Sequence, residues 1–85
     1  MEYSRARVKL PPELDGMGTT QLRLAIEEAN LGLADTYIAK RYLLDQVAQI
    51  EIAEEIGLGR SAVTKKMGKI TPKIVNSAKH FNIPQ

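Results

Sequence analysis

The side chains of this chain best suited to binding chemistry are the cations of its last third. Residues 60–85 contain six Lys or Arg side chains and no Asp or Glu, whereas residues 19–59 contain three cations and seven acids. Several cations close together attract a polyanion such as a phosphate backbone. The charge pattern therefore predicts a C-terminal surface that faces a polyanion. An ordinary solvated basic surface is the alternative that charge alone leaves open.

Other chemistry has little support in the composition. The chain has no cysteine and one histidine, so disulfides, thiolate metal sites and multi-histidine metal sites are excluded. No nucleophile stands near a general base, no carboxylates are paired at an interpretable spacing, and Gly57-x-Gly59 is too short for a phosphate-binding loop. We therefore expect no enzyme activity, no cofactor, no metal and no small-molecule ligand.

The length of 85 residues is enough for a single core. No apolar run approaches the ~18–20 residues that span a bilayer, and the first residues lack the basic-then-apolar order of a secretory signal. We therefore expect a cytoplasmic protein that does not bind membranes.

The spacing of apolar residues predicts an all-α fold, a small bundle of about five helices. Thr71-Pro72 is expected to end one helix and begin another, because proline lacks a backbone donor and suits a first helical turn. The predicted helices run from Thr20 to Gly32, from Asp35 to Leu44 or Asp45, from Ala48 to Ile56, from Arg60 to Ile70, and from Thr71 to Phe81.

Residues 1–18 show no sustained apolar period and contain Pro11-Pro12 and Gly16, which predicts a flexible N-terminal arm. Its cations Arg5, Arg7 and Lys9 suit either a minor-groove contact or a simply disordered segment, and both interpretations stay open.

Two short helices joined by a three-residue turn with glycine are the skeleton of a helix-turn-helix. The third and fourth predicted helices fit this plan. A small residue is needed where the helices cross, the turn needs a residue that tolerates positive φ, and apolar residues must fill the corner and fix the second helix. The residues expected to form this core are Ile52, Ala53, Ile56, Gly57, Leu58, Val63 and Met67. Residues 19–85 are thus predicted to be one helix-turn-helix domain.

The runs 41–49 and 52–63 resemble region 4 of bacterial sigma factors without a gap, and they are similar to the LuxR-type helix-turn-helix as well. The resemblance covers residues 33–75, about half of the chain, and implies a helical DNA-binding domain. The separate sigma domain that melts the promoter has no counterpart here. Gln46 stands where the family has glycine, and Ala48 and Gly59 replace its Ser, Thr or Asp caps. Because alanine caps poorly, the third helix is expected to fray at its start or to use Asp45 as its cap.

With Val63, Met67 and Ile70 facing inward, the opposite side of the fourth helix is expected to enter the major groove of double-stranded DNA. The side chains expected to contact base edges are Ser61, Ala62, Thr64 and Lys65. Those expected to contact phosphates are Arg60, Lys66, Lys69 and Lys73.

The leading hypothesis is therefore a small, sequence-specific transcription regulator from a bacterium or phage. We expect it to form a homodimer through the first helix or the segment Pro72–Phe81, because one short domain contacts few base pairs. One alternative is a protein-interaction module that docks on RNA polymerase or another regulator through the acidic surface between Glu27 and Glu55. Another is a DNA-packaging or recombination accessory factor that carries the same motif.

Overall fold

Four helices, and no strand, form the part of the chain that the computed structural model describes, residues 10–80. They are α1 (Thr19–Glu28), α2 (Leu33–Ala39), α3 (Gln49–Ile56) and α4 (Arg60–Ala78). A π-helical turn, Lys40–Leu44, continues α2. The predicted all-α class is confirmed, with four helices instead of five. None of these helices is both long enough and apolar enough to cross a bilayer.

The core is built from the apolar stripes that the sequence shows at helical spacing. Each helix contributes fully or almost fully buried side chains, and burying one large aliphatic side chain stabilises a fold by about 1.5–3 kcal/mol. These side chains include Leu22, Ala25 and Ile26 of α1, Ile38 of α2, Ile52 and Ala53 of α3, and Val63, Met67, Ile70 and Ile74 of α4. Tyr42, in the π-helical turn, packs against this core.

The predicted helix break at Thr71-Pro72 is wrong, because α4 continues from Arg60 through Pro72 to Ala78. The apolar stripe explains the continuity: Ile74, which follows the proline by half a turn, is completely buried. Proline inside a helix costs about 3 kcal/mol through its missing N–H and its ring. Burial of Ile74 and of the turn beyond it offsets that cost. The ring itself lies on the exposed side of α4.

Two helix starts differ from the predictions. Gly18, not Thr20, is the N-cap of α1, and Gly32, which was expected to end the first helix, is the N-cap of α2 at φ 96°. The start of α3 agrees with the expectation of a weak cap, since its N-cap Ala48 makes no side-chain bond. Asp45 does not replace it, because its carboxylate accepts from Arg41.

Of the predicted N-terminal arm the structure describes residues 10–18, and three of their apolar side chains contact the core. Leu14 is fully buried, and Leu10 and Met17 lie against the core. The backbone turns there, with the Leu14 N–H donating to the Pro11 carbonyl at 2.9 Å. The boundary between arm and domain at residue 18 stays a prediction. The arm cations at residues 5, 7 and 9, like Phe81, lie outside the described residues.

Helix α1 packs on the second half of α4, and this contact uses both surfaces from which a dimer interface was predicted. The buried Ser77 hydroxyl donates to the Ala25 carbonyl of α1 at 2.8 Å, and Ile74 and Ala78 are buried at the same contact. The apolar sides of α1 and of residues 72–78 are therefore occupied within one chain. A homodimer through them stays a prediction that would have to use exposed side chains.

Candidate nucleic-acid interface

Residues 57–59 form the connection between the end of α3 and the start of α4. Gly57 ends α3 in the left-handed region at φ 74°, where a side chain is strained and glycine is not. The Leu58 N–H then donates back to the Ala53 carbonyl at 2.9 Å, which is the 6→1 bond of a Schellman motif. Gly59 is the N-cap of α4. Three residues thus connect α3 to α4, which is the length that the sequence predicted.

Buried side chains then hold α4 against α3. Val63 is fully buried, Ile52 and Ala53 face it from α3, and Met67 is 6% exposed. Leu58 departs from the expectation that it fills the corner, since it remains 40% exposed. The buried side chains of this part of the fold are instead Val63 on α4 and Ile52 and Ala53 on α3.

The side of α4 opposite its buried stripe is an uninterrupted solvent-exposed surface. At about 100° per residue, the buried positions 63, 67, 70, 74, 77 and 78 define one side of the helix. Seven positions fall within an arc about 100° wide on the other side, and all seven are exposed. We call this the exposed arc. Its members are Ser61, Lys65, Gly68, Lys69, Pro72, Asn76 and Lys79, the last directly following the helix.

The four residues predicted to contact bases are not placed equally. Ser61 and Lys65 lie on the exposed arc, and Thr64 is exposed at its edge toward α3. Ala62 is half-buried on the other edge, so only part of its methyl surface is open. The structure therefore leaves Ser61, Thr64 and Lys65 uncovered by the described part of the chain.

A hydrogen bond links this surface to α3. The Thr64 hydroxyl donates to the Gln49 side-chain carbonyl at 2.6 Å. Gln49 was not among the predicted site residues, because its partner lies fifteen positions away and nothing local marks the pair. The one feature of the sequence that indicated a role for Gln49 was its polar side chain at the first position of α3. The bond holds the Gln49 amide beside the N-terminal turns of α4.

The four predicted phosphate ligands also divide into two groups. Arg60, Lys69 and Lys73 are exposed. Lys66 is half-buried and its ammonium pairs with the Asp35 carboxylate of α2 at 3.3 Å. This pair ties α4 to α2, so we leave Lys66 out of the phosphate-binding set. No local pattern in the sequence indicates this pair, since Asp35 and Lys66 are 31 residues apart.

The acidic and basic residues of the two neighbouring helices are distributed unequally. Glu51 and Glu54 are exposed on α3, whereas no acid occurs anywhere on α4. The exposed arc of α4 therefore carries cations and no acid of its own helix.

One polar network connects α2 and its π-helical turn to α3. The Arg41 guanidinium donates to both carboxylate oxygens of Glu55, at 3.0 and 2.5 Å, and to Asp45 at 3.1 Å. The Tyr37 hydroxyl donates to Glu55 at 2.8 Å. Hydrogen bonds from Arg41 and then Tyr37 lower the pKa of the Glu55 carboxyl, and the bond to Glu55 raises the pKa of both donors. The network thus links α2 and its π-helical turn to α3 at the surface.

Replacing Glu55 with glutamine is expected to make stability less sensitive to acid. A carboxyl whose folded pKa lies below its ordinary value of 4.5 stabilises the fold above that value, and this stabilisation is lost as the pH falls through the folded pKa. The melting temperature of the wild type should thus fall more steeply than that of Glu55→Gln between about pH 5 and pH 3. Circular dichroism measures both, with Glu54→Gln as the control. Parallel profiles for wild type and Glu55→Gln would show that the network does not act in solution.

A shallow, open pocket of about 230 Å³ lies between the end of α1 and the second half of α4. Its lining is mixed in charge, with Glu28 opposite Lys73 and His80, and it includes the buried Ser77. Within residues 10–80 no three His, Asp or Glu side chains are grouped so that they could hold a metal ion.

Comparison of the chain with protein-family models, with curated proteins and with solved structures found no match.

Proposed function

We propose that the chain binds double-stranded DNA in a sequence-specific manner, with α3, the turn 57–59 and α4 acting as a helix-turn-helix. The observation that carries the proposal is the exposed arc of α4. It presents Ser61 and Lys65 beside Thr64, it contains no acid, and buried Val63 and Met67 fix its direction. Such a helix can enter the major groove, whose width of about 12 Å admits an α-helix.

The residue types on the first turns of α4 suit base edges. Lysine donates to guanine acceptors, hydroxyls bond to several bases, and the Thr64 methyl can contact a thymine methyl. Phosphate contacts come from the exposed cations Arg60, Lys69 and Lys73, since Lys66 is paired within the protein. Gly59 provides no side-chain cap, so backbone N–H groups in the first turn of α4 are open to a phosphate oxygen.

Selection of bound sequences from a library of random duplexes tests this function. The proposal predicts a short enriched motif, and two copies at a fixed spacing if the protein binds as a dimer. It further predicts that the same sequence made as duplex RNA binds poorly, because the major groove of A-form RNA is too narrow for a helix. Uniform recovery of all sequences, or equal affinity for the RNA duplex, would rule out the proposed function.

A protein-docking role is the second candidate, and the surface of α2 and α3 favours it. Leu33 of α2 is 93% exposed. On α3, Ile50 is 49% exposed and is followed along the chain by the exposed acids Glu51 and Glu54. On this reading α2 and α3 bind RNA polymerase or another regulator. Capture of RNA polymerase in a pull-down discriminates: a docking role predicts that Lys65→Glu combined with Lys69→Glu leaves capture intact and that Leu33→Asp abolishes it.

A further inference from the structure

Gly68 lies in the middle of the exposed arc, where no neighbouring atom of the described structure excludes a side chain. Its φ is not positive, and a Cβ built on it would meet no atom within 4 Å. Glycine is among the least favourable residues inside a helix because it leaves the backbone most free in the unfolded chain. An alanine would fit the described structure without a clash. The absence of a side chain at this position therefore suggests that something outside the domain comes close to the backbone.

The exposed arc also continues well past the turns assigned to base contacts. From Ser61 to Lys79 it spans about 27 Å at 1.5 Å per residue, whereas the major groove is about 12 Å wide. A helix that crosses the groove with its first turns inside it then extends over the neighbouring backbone. The arc offers Asn76 and Lys79 there, both exposed.

We propose that α4 makes its closest approach to the duplex at Gly68, and that Asn76 and Lys79 bind phosphates of the backbone flanking the groove. This inference rests on the proposed function and deepens it. The small Gly68 allows the helix axis to approach the DNA, and the continuous α4 carries Lys79 beyond the groove edge. The contact with DNA then covers both halves of α4.

Gly68 has an alternative explanation within the protein itself, namely that it accommodates the ring of Pro72. A proline ring presses on the carbonyl of the residue four positions earlier, which here is Gly68, and a glycine backbone yields more easily than that of alanine. This explanation predicts that Gly68→Ala lowers the melting temperature, and that it does so only while Pro72 is present. Our proposal predicts that Gly68→Ala raises the melting temperature, both alone and combined with Pro72→Ala.

The test uses the full chain and a duplex recovered by selection with the wild type. Gly68→Ala should bind this duplex at least about tenfold more weakly, as expected when a methyl group is forced into a close contact. Lys79→Gln should flatten the slope of log affinity against log salt concentration by about 0.9. Arg23→Gln removes the same charge from the exposed surface of α1 and should leave the slope unchanged.

The outcomes separate the inference from the function on which it rests. If the wild type enriches no sequence, the proposed function itself is wrong. If the wild type enriches a motif but Gly68→Ala binds it equally well, the inference is wrong and the function stands. An unchanged salt slope for Lys79→Gln, or a lower melting temperature for Gly68→Ala, would overturn the inference in the same way.

Discussion

Replacing Lys65 and Lys69 together with glutamate is expected to weaken binding to the selected duplex by at least about a hundredfold. Loss of a lysine contact to a base edge costs about 1–3 kcal/mol, and a hundredfold loss corresponds to about 2.7 kcal/mol. Repulsion between the two new carboxylates and the DNA phosphates adds to this cost. Both lysines are exposed on α4, so the melting temperature should change little. Fluorescence anisotropy at several salt concentrations measures the effect.

Single variants show whether DNA affinity depends on the position of a lysine on α4 or only on the net charge of the chain. Lys65→Glu and Arg23→Glu change the charge of the chain equally, but Arg23 lies exposed on α1. The proposal predicts that Lys65→Glu loses most of the affinity and of the sequence preference, whereas Arg23→Glu keeps both. Equal losses would mean that the DNA responds to net charge alone. That result would remove α4 from its assigned role.

Truncation of Ile74 to alanine is expected to destabilise the fold by about 2–5 kcal/mol. Ile74 is fully buried in the part of α4 that follows Pro72, so its removal leaves a cavity against α1. Because small domains have a total stability of about 5–15 kcal/mol, the variant should unfold at a much lower urea concentration. Urea titration followed by circular dichroism measures the free energy of unfolding.

Asn76→Ala serves as the matched control, since Asn76 is exposed on the same half of α4. Its effect on stability should stay within about 0.5 kcal/mol, as for most surface substitutions. The comparison tests whether the half of α4 that follows Pro72 belongs to the core. An Ile74→Ala variant no less stable than Asn76→Ala would contradict the burial of Ile74.

The region best predicted from the sequence is the one governed by local rules. Gly57 adopts the positive φ expected of it, α3 ends at Ile56 and α4 begins at Arg60. Val63, Met67 and Ile70 are buried as their spacing required. Each of these features depends on residues within one or two helical turns. A single sequence is therefore sufficient to predict them.

Features that depend on distant parts of the chain were not predictable in this way. Proline at position 72 favours the end of a helix, but α4 continues through it. The burial of Ile74 favours this continuation, and it depends on residues that are distant in the sequence. Leu14 follows two prolines without any periodicity, yet it is fully buried. Likewise, the bonds of Thr64 with Gln49 and of Lys66 with Asp35 join separate helices. They changed the candidate site by adding one residue and removing another.

The most direct test of the account is an NMR titration of the nitrogen-15-labelled chain with the selected duplex. If the exposed arc of α4 faces the DNA, the largest shifts of backbone amides fall between Gly59 and Lys69, while α1 and the acidic side of α3 change little. Shifts concentrated on α1, or around Glu51 and Glu54 with α4 unaffected, would contradict it.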